Sequence, residues 1–145
     1  MSRRISHAIK IEASPAAVWT TLTDLESFPA WNPFILKIDG ELRTGARLAV
    51  TIQPSGHRAS TFRPTVLAVE PERELRWLGR FLIPGLFDGE HSFIVEPHGP
   101  DRARFVQHET FTGLLVPLVL RGMRSNIRRG FEEMNLALKA RAEQG

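Results

Sequence analysis

Cysteine and tyrosine are absent from the 145 residues, and lysine occurs only three times. Without cysteine there are no disulfides, no thiolate zinc sites and no cysteine nucleophile, and the chain suits a reducing compartment. Without tyrosine there is no phenolic acid for catalysis. Long apolar runs are missing too. The longest, Leu114–Leu120, falls far short of the roughly 20 residues that span a bilayer, and Met1–His7 has no apolar core of signal-peptide length. The expectation is a soluble, cytoplasmic protein with no stable membrane insertion. Sixteen arginines and three lysines stand against sixteen carboxylates, so the net charge is a modest +3. That balance permits an anionic partner without requiring one, and no nucleic-acid binding is expected. No P-loop, dinucleotide fingerprint or nucleophile elbow occurs. The histidines at 7, 57, 91, 98 and 108 lack ligand spacing, so neither a metal nor a cofactor is expected.

What is present is a long amphipathic stretch at the end, about Leu114 to Glu143. Leu115, Val119, Met123, Ile127, Phe131, Met134 and Leu138 follow at steps of three and four, which lines them on one helical face. Arg121, Arg124, Arg128, Glu132 and Lys139 occupy the other, and Arg128–Glu132 and Arg129–Glu133 have the i, i+4 spacing of a solvated helix. Gly122, Asn126 and Gly130 fall on or beside the apolar stripe, where each glycine costs about 1 kcal/mol against alanine. They serve either close approach of helix and sheet or empty volume for a ligand.

Upstream, Arg4–Ile11 alternates as a strand, with Ile5, His7, Ile9 and Ile11 on one side. Ser14 as N-cap and Pro15 at the first helical position open a short helix, and a second, about Leu25 to Ala30, ends at Trp31-Asn32-Pro33. Six further strands are predicted at Ile35–Asp39, Arg47–Gln53, Thr61–Glu70, Glu74–Phe81, Phe87–Glu96 and Ala103–Phe111. Alternation turns Leu75, Trp77 and Gly79 inward, with Phe87, Gly89, His91 and Phe93 on the next strand and Phe105, Gln107, Glu109 and Phe111 on the last. A hairpin loop at Pro97–Asp101 pairs Phe93 with Phe105, His91 with Gln107 and Gly89 with Glu109. The expected fold is therefore α+β and a single domain over 1–145. A curved seven-stranded antiparallel sheet wraps the long C-terminal helix, with two short helices after the first strand.

Several stretches also resemble one family. Ile11–Trp19, Leu25–Pro33, Pro71–Trp77 and Gln107–Gly113 are similar to the START-like superfamily, also called SRPBCC, in its polyketide cyclase/dehydrase-like branch. The resemblance implies a helix-grip fold with a deep apolar cavity between sheet and C-terminal helix, used across relatives for lipids, sterols, polyketides and other hydrophobic molecules. It implies no single activity, because one fold hosts many functions.

The leading expectation is binding, as carriage or sensing, of a small hydrophobic or aromatic molecule in such a cavity. Trp31, Phe34, Phe62, Trp77, Phe87, Phe93 and Phe105 would supply aromatic walls, and Met123, Ile127 and Gly130 the helix side. Glu109 is the polar residue singled out, since a carboxylate on an inner face must be paired, hydrogen-bonded or neutralised. Its candidate partners are His91, Gln107 and Asn126. A second expectation is a cyclase/dehydrase-type enzyme with Glu109 and His91 as base and acid; a third is a chaperone- or protein-interaction module. The apolar connection Phe81–Phe87 and the run Leu114–Leu120 are expected to form a rim for ligands to enter or a homodimer contact.

Overall fold

The computed structural model describes residues 2–81 and 83–144. The chain begins with strand β1 (Ser2–Ile11), followed by helix α1 (Pro15–Thr23). Ser14 caps α1, its hydroxyl accepting from Ala17 N at 3.1 Å. A single 3₁₀ turn, Leu25–Ser27, leads into the short helix α2 (Phe28–Trp31). Asn32 ends α2 and holds the exit turn, because its buried Oδ1 accepts from Phe34 N at 3.0 Å and Ile35 N at 2.8 Å.

The described residues form eight strands in all, in two sheets instead of the expected seven in one. Strands β2 (Ile35–Asp39), β3 (Ala49–Ile52) and β4 (Ser60–Phe62) form a three-stranded sheet in that order. Strands β5 (Thr65–Glu70), β6 (Glu74–Arg80), β7 (Asp88–Pro97) and β8 (Ala103–Thr112) join β1 in the order β1-β8-β7-β6-β5. The expected strand Thr61–Glu70 breaks at Arg63-Pro64, where proline has no N–H to give to a ladder. The Pro64 carbonyl turns aside to accept from Leu48 N at 3.0 Å, and an isolated bridge, Arg47 with Thr65, joins the two sheets there.

The β7–β8 hairpin also differs from expectation. The chain stays paired through Pro97 and Ala103, and the turn between them contains Gly99 at φ +94°. His91 therefore faces Glu109, Phe93 faces Gln107 and Val95 faces Phe105. The slip is two residues. Because side chains alternate with period two, the inward set stays inward and only its cross-strand partners change.

Helix α3 (Val116–Gln144) lies on β1 and β8 and touches α1. Its entry is held by the β6–β7 connection: Leu114 N donates to Gly85 O at 3.1 Å and Leu115 N to Leu86 O at 2.9 Å, which satisfies N–H groups that a helix start leaves free. From Ile127 onward, Ile127, Phe131, Met134 and Leu138 are buried as the periodicity requires. In the first half burial rotates to Val116 and Leu120, while Val119 and Met123 stay only half-buried. They face the hollow described below. On the solvent side Arg128 pairs with Glu132 at 3.7 Å, and Gly122 is exposed instead of lying on the stripe.

Candidate functional site

Between the first half of α3, the three-stranded sheet and the inner ends of β7 and β8 lies a cavity of about 440 Å³. Phe87, Phe111 and Glu109 close it from the large sheet, Ile52 and Ser60 from the small one, and Val119, Met123 and Ile127 from α3. Phe34 forms part of the wall and packs edge-on against Phe131 at 5.5 Å. The loop between β3 and β4 brings Pro54, His57 and Arg58 to the mouth. Asn126 fastens that loop to α3 by donating to Ser55 O at 2.8 Å. This volume lies in the range of small-molecule sites, and the lining is mainly apolar with few polar groups, as such sites usually are.

Of the fourteen residues expected at the site, Phe34, Phe87, Glu109, Met123 and Ile127 are brought together around this hollow. Trp77, Phe93 and Phe105 lie instead in the solid core, each at most 1 % exposed, with Trp77 edge-on to Phe93 at 4.9 Å. Phe62 packs on Phe81 and against Gly79, and Trp31 lies by α2, its indole N–H donating to Ser27 Oγ at 3.0 Å. Gly130 serves close approach, since a Cβ there would come within 2.5 Å of Phe34 Cδ1. Asn126 contacts the mouth loop in place of Glu109. In the connection Phe81–Phe87, Phe81 and Phe87 line the cavity, while Gly85 and Leu86 dock the start of α3. Leu82 lies outside the described residues. Ile83, Leu114 and Leu118 are exposed along that edge.

Glu109 is the acid of the wall, 6 % exposed, with its Oε1 3.4 Å from His91 Nδ1. Behind it the polar groups continue away from the cavity. His91 Nε2 contacts Gln107 Oε1 at 2.9 Å, Gln107 Nε2 donates to Asn135 Oδ1 at 2.8 Å, and Asn135 Nδ2 reaches both His7 Nδ1 at 2.9 Å and His7 O at 3.2 Å. His91 is enclosed by rings, stacked on Phe93 at 4.1 Å and near Phe131 at 5.0 Å. Gln107 and Asn135 have no exposed surface. A buried chain of this kind rigidifies a site only when each member is satisfied. Asn135 and His7 were not among the expected site residues. The signal for His7 was its place between Ile5 and Ile9 on the inner face of β1; for Asn135 it was a position four residues after Phe131 and three before Leu138.

Two consequences of this geometry can be measured. Gly130→Ala should press the Phe34 ring toward the hollow, the side on which it has room. Overpacking of about 1–3 kcal/mol, offset by the helix preference for alanine of about 1 kcal/mol, leaves a net loss of about 1 kcal/mol in urea unfolding. On the outer face of β8, opposite Ser6 and Ser92, His108 has its pKa held below the usual 6.5 by burial, then by the charges of Arg4 and His91, against the opposing pull of Glu74 and Glu90. The unfolded chain then takes up the proton first as pH falls. Its contribution is present above pH 6.5 and is lost as pH drops through the lowered folded value. His108→Gln should flatten this part of the dependence of the urea midpoint on pH; an unchanged slope would assign the dependence to other groups.

The family described as polyketide cyclase/dehydrase and lipid transport matches residues 2–143. The chain belongs to this family. It is thus a START-like protein of the polyketide cyclase branch, with the helix-grip fold. No curated protein matches it by sequence. Among solved structures, the Zhui aromatase/cyclase from a Streptomyces species is similar at 18 % identity and a TM-score of 0.80, covering 99 % of this chain and 95 % of that one. A START superfamily protein from Mycobacterium smegmatis is similar at 21 % identity and a TM-score of 0.75, covering 97 % of both. Norcoclaurine synthase from Thalictrum flavum, in complex with dopamine and hydroxybenzaldehyde, is similar at 16 % identity and a TM-score of 0.60, covering 94 % of this chain and 87 % of that one. At these identities the likeness is one of fold. No helix among the described residues is long and apolar enough to cross a membrane, and no described group of His, Asp or Glu is arranged to hold a metal.

Proposed function

We propose that this START-like protein binds a small hydrophobic or aromatic molecule in the cavity between α3 and the two sheets. The observation that carries the reading is the 440 Å³ hollow itself. On the helix face, Val119 and Met123 line this hollow and stay only partly buried although the periodicity would bury them. Apolar side chains facing an empty volume forgo the burial and contacts that drive folding, and a ligand restores them. The family's link to lipid transport and the aromatic ligands of norcoclaurine synthase agree with that chemistry.

Glu109 favours a second reading, a cyclase/dehydrase-type enzyme. A carboxyl group on the wall of a mainly apolar cavity, backed by an imidazole, can move a proton at a carbon next to a carbonyl or at a departing hydroxyl. The aromatase/cyclase likeness in fold is compatible with it. The protein-interaction reading asks for a polar groove, whereas the hollow at Glu109 is mainly apolar.

Native mass spectrometry of freshly purified protein is expected to show added hydrophobic mass, and fluorescence titration to show saturable uptake of an apolar aromatic probe. Absence of both would remove the binding reading. For the enzyme reading, Glu109→Gln should abolish turnover of a small panel of poly-β-ketone mimics while their binding stays within a few fold. Turnover that survives the substitution would remove Glu109 from the chemistry.

A further inference from the structure

A second recess, of about 510 Å³, shares no lining residue with the cavity. It is lined by Arg47, Arg63 and Arg80 together with Thr65, Leu67 and Leu78. Alternation along β6 turns Trp77 and Gly79 inward, so Leu78 and Arg80 belong to the outer face of the large sheet. The fold holds the three arginines near one another. The Arg47–Thr65 bridge joins the two sheets beside the break at Pro64, and Arg47 Nη2 donates to Arg63 O at 3.2 Å. Thr65 stands opposite Leu78, two residues before Arg80. No described carboxylate lines the recess, and those of the adjoining strand β7 are committed elsewhere. Asp88, opposite Arg80, accepts from Gly85 N at 3.2 Å through Oδ2, and Glu90, opposite Leu78, pairs with Arg76 at 3.4 Å. Among the described residues none of the three arginines forms an ion pair. Guanidinium groups keep their protons at any physiological pH, so three like charges border one concave surface. An anion seated there would relieve their repulsion.

We infer that this recess is a second binding site, for a phosphate monoester with an apolar substituent, whose phosphate meets Arg47, Arg63 and Arg80 and whose substituent lies on Leu67 and Leu78. A phosphate monoester offers close to two negative charges and three acceptor oxygens at neutral pH, and the planar guanidinium fork matches such oxygens two at a time. A carboxylate has one charge and two oxygens, too few for three arginines. The Thr65 hydroxyl is half-buried at the recess and can add a donor. Leu67 and Leu78 are also half-buried, so the substituent covers apolar area that a bare phosphate would leave open to water. Such an ester can arrive as a free small molecule or as the headgroup of phosphatidic acid. The site stands apart from the cavity, and its occupation does not depend on the binding reading given above.

Calorimetric titration with phenyl phosphate, benzoate and inorganic phosphate tests the chemistry, and sedimentation with phosphatidylcholine vesicles, with and without phosphatidic acid, tests the source. Phenyl phosphate is expected to bind about fivefold or more tightly than either of the other two anions, and less tightly as salt is raised. Arg63→Gln and Arg80→Gln should each weaken it about fivefold, and the double variant about tenfold or more. Both side chains are exposed, so the variants should keep the urea midpoint of the parent. Arg63→Lys, which keeps the charge and loses the fork, should restore only part of the affinity. Met123→Trp, which alters the cavity alone, should leave phenyl phosphate binding unchanged. Sedimentation that requires both phosphatidic acid and the two arginines assigns the lipid headgroup; binding of phenyl phosphate without sedimentation assigns a soluble ester. Failure of phenyl phosphate and of the phosphatidic acid vesicles alike, benzoate bound as tightly as the ester, binding untouched in the double variant, or binding lost with Met123→Trp would overturn the inference.

Discussion

Gln107→Leu is expected to lower the stability of the protein by about 2–4 kcal/mol, since each buried polar group stranded without a partner costs about 1–3 kcal/mol. Leucine nearly conserves the volume, so cavity formation contributes little, and the loss comes from the two groups that Gln107 serves at once. It accepts from His91 Nε2 and donates to Asn135 Oδ1, with no surface open to water. Against a domain stability of about 5–15 kcal/mol, this is a large share. The double variant Gln107→Leu with Asn135→Leu should cost less than the sum of the two singles, because the second change removes a group that the first had stranded. Urea unfolding of the four proteins measures the coupling. Strict additivity would mean that the chain from His91 to His7 is not one network.

Met123→Trp is expected to weaken uptake of an aromatic probe by about tenfold or more while leaving the urea midpoint close to that of the parent. Met123 is half-buried and lines the hollow from α3, so a larger ring there takes up cavity volume. The contrast with Phe131 is informative. Phe131 has no exposed surface and lies one turn beyond Ile127 on the same helix, against Phe34 and His91. Phe131→Ala should therefore cost stability, about 3–5 kcal/mol, where Met123→Trp costs affinity. If Met123→Trp destabilised the fold as much as Phe131→Ala, the space beside Met123 would already be filled.

The periodicities of the sequence carry most of the frame. Alternation in β6, β7 and β8 placed Trp77, His91, Phe93, Gln107 and Glu109 on the inner face, where they are buried, and the 3.6 period placed Ile127, Phe131, Met134 and Leu138 there too. Register was less legible. The pairing of His91 with Glu109 depends on how far β7 and β8 run before the turn at Gly99, and that distance leaves no mark on the alternation. The break at Pro64 was written in the sequence as a residue that cannot donate, yet the β-branched residues on both sides outweighed it. Least legible of all was the cavity. Trp77, Phe93 and Phe105 are as aromatic as Phe87 and Phe111, and nothing local separates the first three, which are buried in the core, from the last two, which border the hollow. The mouth residues Pro54, His57, Arg58 and Ser60 come from a loop and a strand edge whose position is fixed by contacts such as Asn126 to Ser55 O, and not by any period. Asn126 and Asn135 both lie on α3, and the tilt of that helix decides which of them reaches Gln107 on the inner face.

Packing and polar chain meet at one point, the cavity wall at Glu109. The test that bears on it most directly is a crystal structure of the protein grown with 1-naphthalenemethanol. The ring is expected between Phe87, Phe111 and Met123, with the hydroxyl within hydrogen-bonding distance of Glu109. Side chains closed over that space, or the probe bound only on the outer surface, would contradict the account.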